Sequence, residues 1–260
     1  MLIRVTIYID NTNMKLSINL NKIALLRNAR GENYPDLEYF ANQAVDLGVD
    51  GLTLHPRPDH RHATSNDVIK LSNIAKSRGV EFNIEGNPFS KPNKEFLGFC
   101  ELVEIINPDQ ITLVPDTIDQ ITSNYGWSEG SHDEDLKNII ESLKQKSNEV
   151  KISLFIDDIS GVEYASKMNA DLIEIHTGKF SKAIANNDES ILMEVNAMID
   201  KALDNNLLVN AGHDLNLNNL HYLVEMGNIN EVSIGHAIII DALLYGFDET
   251  IKKYLDIIRK

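Results

Sequence analysis

The sequence predicts an α/β protein, a closed (β/α)8 barrel in which eight parallel strands alternate with helices. Three observations predict it. Short β-type apolar runs recur eight times, each followed by a stretch with helical period. The chain has 260 residues, and one such barrel needs about 250. No G-x-G-x-x-G follows the first strand, which weighs against an open dinucleotide-binding sheet.

In chain order the runs are LSINL (16–20), GLTLH (51–55), VEFNIE (80–85), QITLVP (110–115), VKISLFID (150–157), ADLIEIHT (170–177), NLLVNAG (206–212) and EVSIGHA (231–237). Most are nearly continuous in apolar residues, as expected of parallel strands covered by helices outside and by a barrel core inside. Between them, Leu37, Phe40, Ala41, Ala44 and Leu47 share one helix face, which Gly48 ends. Ser65 or Asn66 is the expected cap of a helix carrying Val68, Leu71, Ile74 and Ala75, with Gly79 past its end. Ile191, Val195, Met198, Ile199, Ala202 and Leu203 repeat the pattern, as do Leu243, Ile251, Tyr254, Leu255 and Ile258. Two features exceed a minimal barrel. Residues 21–30 read as an extra helix in the first strand-to-helix connection, and residues 3–9 either as an extra strand that NTN turns back as a hairpin or as an added tail. The expected organisation is one domain over 1–260, with 1–15 as an extension and 16–260 as the barrel.

Composition narrows the partners. A net charge of −15 argues against nucleic acid and membrane surfaces, both polyanionic, yet leaves room for a small anion at a local positive site. The single cysteine, Cys100, excludes an intrachain disulfide and fits a reducing cytoplasm. The opening apolar run is too short for a signal peptide or membrane span. The apolar stretch 232–247 is interrupted by His236 and Asp241 and reads as a buried strand and the start of a helix.

Side chains at the C-terminal ends of barrel strands converge on one mouth. Four of the eight histidines, His55, His176, His213 and His236, fall there, together with Asn19, Glu85 and Glu174. One histidine in an apolar run is ordinarily a core residue; four at strand ends are a pattern. HPRPDHRH (55–62) combines three histidines and two arginines. Arginine forks favour an anion such as phosphate, with a metal site or a solvated loop as alternatives. Glu85, in FNIEG, is costly to bury and must be paired or carry a raised pKa, as suits an acid or base; the structural alternative is an ion pair with an arginine. Glu174 and His176 share one strand face, Ile173 and Ile175 the other, and packing is the favoured role for His176. NAGHDL (210–215) and SIGHAI (233–238) put Gly-His after the seventh and eighth strands, where barrels bind phosphate through backbone N–H groups. Arg27 and Arg30 share a face of the extra helix, one as a phosphate ligand and one as surface.

These segments, INLNKIALLRNARG, LTLHPRPDHRH, FNIEG, TLVPD with ITSNYGW, SLFID, IEIHTG, VNAGHDL and SIGHAI, resemble the pyridoxine 5′-phosphate synthase family in its own order, from Leu16 to the C-terminus. The resemblance implies a TIM barrel that condenses 1-deoxy-D-xylulose 5-phosphate with 3-amino-2-oxopropyl phosphate to pyridoxine 5′-phosphate, phosphate and water. It implies no metal or organic cofactor, small phosphorylated substrates as partners, and an octamer built from dimers. Carried over by motif, His55 is the first general base, Glu85 a second acid/base residue, Glu174 a charge-stabilising carboxylate and His213 the proton donor. Arg57, His62 and Thr122 match binders of the deoxyxylulose phosphate. Asn19 and Arg30 match binders of the aminooxopropyl phosphate, and Gly235 and His236 its phosphate loop.

Three departures stand out. Asn21 and Lys22 replace an Asp-His pair that contacts the deoxyxylulose phosphate; Asn21 loses the charge and Lys22 supplies a cation. Asp214 stands where glycine is commoner; its backbone N–H contact to substrate survives, and its carboxylate is expected to turn away and cap the next helix. Pro56 and Pro58 stiffen a loop expected to move over the substrate. Two other functions remain open: a catalytically silent phosphometabolite-binding barrel, supported by Asn21 and Lys22, and another phosphate-handling lyase or isomerase, for which Lys22 and Lys179 are the nearest Schiff-base candidates.

Overall fold

The computed structural model describes residues 14–130, 132–146 and 149–259. The extra strand read at 3–9 and its NTN turn lie outside the described residues. The strands are β1 (Lys15–Asn19), β2 (Gly51–Leu54), β3 (Glu81–Gly86), β4 (Gln110–Leu113), β5 (Lys151–Ile156), β6 (Leu172–His176), β7 (Leu208–Gly212) and β8 (Glu231–Ile234). Each pairs in parallel with the next, and β8 returns to β1 to close the barrel. Helices alternate with them: α1 (Asn21–Asn28), α2 (Leu37–Asp46), α3 (Ser65–Arg78), α4 (Phe99–Ile106), α5 (Asp133–Lys146), α6 (Ile159–Lys167), α7 (Gly178–Ala185), α8 (Ile191–Asp204), α9 (Leu220–Met226), α10 (His236–Tyr245) and α11 (Phe247–Ile258). The predicted (β/α)8 class is the observed one, and α1 is the extra helix of the first connection.

Strand alternation sorts the residues. Leu16, Ile18, Leu52, Leu54, Ile173 and Ile175 are fully or almost fully buried in the main apolar cluster with helix residues such as Leu71, Val195 and Ile251. The opposite faces carry polar residues that bond to one another. Ser17 bonds Thr53 at 2.7 Å, Asn83 donates to Thr112 at 3.1 Å, and Asn210 Nδ2 donates to Gln110 Oε1 at 3.1 Å. The expected apolar barrel core is therefore wrong for the inside. The runs looked continuous because many of their inward positions hold small polar residues, such as Ser17, Thr53 and Thr112, that hardly break an apolar pattern.

Glu231 belongs to this lumen. It is 4% exposed and in register with Asn210, which is in register with Glu174. Burial, aided by Glu81 and Glu174, pushes its pKa up to about 8.

Three local expectations change. The cap of α3 is Thr64, not Ser65 or Asn66: its hydroxyl accepts from Asp67 N, and the Asp67 carboxylate accepts from Thr64 N at 2.8 Å. Asp67 is engaged again by Arg27, whose Nη2 donates to it at 2.8 Å. Arg27 is thus a structural residue, and Arg30 lies in the exposed turn after α1 ends. Leu243 does not share a buried face with Ile251, Tyr254, Leu255 and Ile258. Gly246, at φ 81°, breaks the stretch into α10 and α11 and leaves Leu243 76% exposed.

Candidate active site

The C-terminal strand ends surround a cavity of about 450 Å³. Asn19, His55, Glu85, Glu174, His213, Gly235 and His236 all line it. Gly235 is required where β8 leaves the barrel, since a Cβ there would sit 2.7 Å from the Asn19 carbonyl oxygen.

Two carboxylates form its floor, Glu174 buried and Glu85 mostly enclosed. Glu85 Oε2 accepts from Asn19 Nδ2 at 3.3 Å, and Oε1 accepts from the Ser233 hydroxyl at 3.4 Å. No arginine pairs with Glu85 among the described residues, so the ion-pair alternative fails. Burial pushes its pKa up to about 7, with the Ser233 bond opposing and the Asp116 charge adding. Glu174 accepts from the Thr112 hydroxyl at 3.1 Å, and burial and then Glu85 hold its pKa well above the ordinary carboxylate value. Two carboxyls so placed resist ionising together, leaving protons available in the site near neutral pH.

His55 sits between carboxylates. Its Nδ1 lies 3.7 Å from Glu85, and its Nε2 lies 3.2 Å from Asp116. Asn21 positions this strand exit, its side-chain oxygen accepting from His55 N at 3.1 Å. Asn21 thereby acts on the protein backbone, leaving only its amide nitrogen for a ligand.

His213 stands on the opposite side. Its Nε2 lies 2.9 Å from the Thr122 hydroxyl, so the loop after β4 reaches across to the loop after β7. His213 (φ 84°) and Asp214 (φ 57°) both occupy the left-handed region, which costs on the order of 1–3 kcal/mol each. Bonds from Thr177 to the Gly212 carbonyl and from Ser181 to the Asp214 carbonyl, 2.7 and 2.9 Å, hold that turn. Asp214 does not turn away to cap a helix. Its left-handed backbone brings the carboxylate to 3.2 Å from His213 Nδ1, within ion-pair reach, and the imidazole beside it holds the Asp214 carboxyl below the usual carboxylate range. The Asp214 backbone carbonyl, not the side chain, serves Asn216 and Asn219. His176 packs between Phe155 and His213, with ring centroids at 5.1 and 4.7 Å, and burial drives its pKa down to about 4.

The cations divide into engaged and free. Arg57, expected as a phosphate fork, is buried. It pairs with Asp116 and donates to the Gln120 carbonyl at 2.7 Å and the Thr117 carbonyl at 3.3 Å. Arg61 holds the same loop through the Gln120 and Ile118 carbonyls at 2.7 and 2.6 Å. His62 lines the cavity, but burial, followed by the charges of His55 and Arg57, pushes its pKa down to about 3, so it meets a ligand as a neutral ring. Lys22 lines the cavity near Gly235 and His236 and forms no ion pair or hydrogen bond among the described residues. Arg30 is exposed and does not line the cavity.

A family model described as pyridoxal phosphate biosynthesis protein PdxJ matches residues 16–260. The chain belongs to this family. A pyridoxine 5′-phosphate synthase of Cytophaga hutchinsonii is 43% identical over 248 residues, covering 95% of this chain and 99% of that one. One of Xylella fastidiosa is 42% identical over 247 residues, 94% of each chain. Among solved structures, a Mycobacterium tuberculosis tryptophan synthase (TM-score 0.62, 10% identity, 96% of this chain and 94% of that one) and a Vibrio cholerae 3-keto-L-gulonate-6-phosphate decarboxylase (0.59, 12%, 95% and 98%) share the fold. Pyridoxine 5′-phosphate synthesis, a step of vitamin B6 biosynthesis, is the function of this family and of the chain.

Sequence reasoning for the family site missed Asp116 and Ser233. Asp116 lies three residues beyond the end of β4, one past the residue taken as that strand's end, and TLVPD contained it. Ser233 sits on the inward face of β8, where alternation from Glu231 would have placed it.

Proposed function

We propose that the chain condenses 1-deoxy-D-xylulose 5-phosphate with 3-amino-2-oxopropyl phosphate, releasing phosphate and water as the pyridine ring closes. The observation that carries this reading is the meeting of Glu85, Glu174 and His55 on one cavity floor, with His213 opposite. The reaction needs repeated proton transfers and a leaving phosphate. His55 and Glu85 take protons, His213 returns them to leaving oxygens, and Glu174, giving up its proton as the condensed nitrogen becomes cationic, offsets that charge. The α10 N-terminus at Gly235 and His236, with Lys22 beside it, receives one phosphate through backbone N–H groups and a free cation. Thr122, His62 and Asn19 offer neutral hydrogen bonds. Arg57 reaches a phosphate only by exchanging its present carbonyl partners.

Incubation with both substrates and detection of pyridoxine 5′-phosphate tests this. Absence of product under conditions where a family relative turns over would refute it and favour a silent phosphometabolite-binding barrel. Part of the surface supports a homo-oligomer: Leu25 and Leu26 on α1 and Ile240, Leu243, Leu244 and Tyr245 on α10 are exposed, and α1 touches α10. An octamer built from dimers is the assembly we propose, and light scattering measures it. Among the described residues no helix is long and apolar enough to cross a membrane, and the cytoplasm is the compartment proposed.

A further inference from the structure

Asp116 has no role in the reading above, yet it is a tightly held carboxylate beside the cavity. It is 6% exposed, and one oxygen, Oδ2, meets both His55 Nε2 at 3.2 Å and the Arg57 guanidinium. Its backbone is fixed too, with the carbonyl accepting from Asn87 Nδ2 at 2.8 Å.

We propose that Asp116 is a positioning residue for pyridoxine 5′-phosphate synthesis: it holds the proton of His55 on Nε2, so that bare Nδ1 faces the cavity and Glu85, with Arg57 as its counter-ion. A histidine between two carboxylates has two neutral tautomers, and only one leaves a lone pair where a substrate proton can be taken. An ionised partner on one nitrogen selects the tautomer and stabilises the imidazolium that forms. The 3.2 Å separation is within the range that tightens once substrate fills a site.

The charges around His55 are consistent with this division. Burial alone would raise the Asp116 pKa, but His55 and then Arg57 outweigh it and hold the carboxyl below the usual range. Asp116 therefore stays ionised while Glu85, raised to about 7, exchanges protons. The other titratable neighbour, His62, has its ring centroid 6.2 Å from that of His55 and is neutral by burial. The Lys22 cation acts in the same direction on His62. In the base step a substrate proton moves to Nδ1, the Nε2 proton stays in place, and none passes to Asp116. The imidazolium then lies between Glu85 and Asp116 and returns its Nδ1 proton to Glu85 or to product. Arg57, on this account, neutralises Asp116 first.

The inference rests on His55 acting as a base, and two measurements separate its failure from failure of that reading. In the unsubstituted protein labelled with 15N-histidine, the His55 resonances, assigned by their loss in His55→Gln, should report a proton on Nε2 and none on Nδ1. A neutral Nδ1–H form would overturn the proposal whether or not the protein turns over. In steady-state assays Asp116→Asn should lower kcat by about a hundredfold or more, with each KM within about threefold. Asp116→Glu should recover at least about a tenth of the wild-type kcat. A kcat for Asp116→Asn within about twofold of wild type, or a loss confined to one substrate's KM, overturns the proposal. The second result would assign Asp116 to the placement of Arg57 alone. Should Asp116→Asn fail to fold, the tautomer in the unsubstituted protein decides.

Discussion

Replacing Glu231 by glutamine should stabilise the protein, and the gain should grow with pH. Glu231 is buried in the lumen with its pKa raised to about 8 from the ordinary 4.5. A carboxyl with a raised native pKa contributes its full stability below the unfolded value and loses it as pH rises through the native value. Between those limits the native state holds a proton that the unfolded chain releases. Each pH unit above 4.5 therefore costs about 1.4 kcal/mol. At pH 7 the cost is on the order of 3 kcal/mol, and above pH 8 it levels off. Glutamine keeps the shape and a hydrogen-bonding head without that cost. At pH 4.5 the two proteins should have nearly equal stability, with the amide slightly worse if its donors find no acceptor. At pH 7 the variant should be more stable by about 3 kcal/mol, a rise in Tm on the order of 6–12 °C for a chain of this size. Urea unfolding followed by tryptophan fluorescence and circular dichroism at pH 4.5, 6, 7 and 8 measures the difference. A difference that stays flat across that range, or a variant that loses stability as pH rises, would refute the placement of a neutral acid in the lumen.

Three further outcomes follow from the site and its supports. Glu85→Gln should lower kcat by about a hundred- to ten-thousandfold; in the unsubstituted enzyme the rate should fall about tenfold per unit as pH drops below about 7, where Glu85 becomes protonated, and a profile flat from pH 5 to 8 would remove Glu85 as the base. Lys22→Met takes away a cavity cation with no partner among the described residues, so KM for one phosphorylated substrate should rise roughly ten- to a hundredfold with little change in stability. Asp67→Ala strips the buried Arg27 of its partner and the α3 cap of its second bond; denaturant midpoints should show a loss of about 3–5 kcal/mol, with KM values in the surviving native fraction unchanged.

The barrel was legible because its outward positions, such as Leu16 and Ile18 or Ile173 and Ile175, keep an apolar signal on every strand. The same alternation hid the lumen. Ser17, Thr53 and Thr112 do not look buried or polar enough to be noticed until they are seen bonding inside the barrel. Strand-end histidines and glutamates were readable because a charged residue after an apolar run has few structural uses. Asp116 was not, since it lies in a loop, and its partners His55 and Arg57 are some 60 residues earlier. The engagement of Arg57 by the Thr117 and Gln120 carbonyls is equally invisible in sequence, as backbone acceptors leave no residue signature. Asp214 was misplaced because a helix-capping preference, which acts in extended backbone, does not apply at a left-handed φ.

The polar lumen also has a calorimetric consequence. Unfolding a barrel with an apolar interior exposes hydrocarbon from two layers, whereas here hydrocarbon comes from the strand–helix layer and the lumen releases amides, hydroxyls and carboxyls. Apolar exposure raises the heat capacity of unfolding and polar exposure lowers it. The heat-capacity increment per residue should therefore lie toward the low end for a chain of this length, with a free energy of unfolding that curves more gently with temperature. The layer where strands and helices meet, not the lumen, sets most of that curvature.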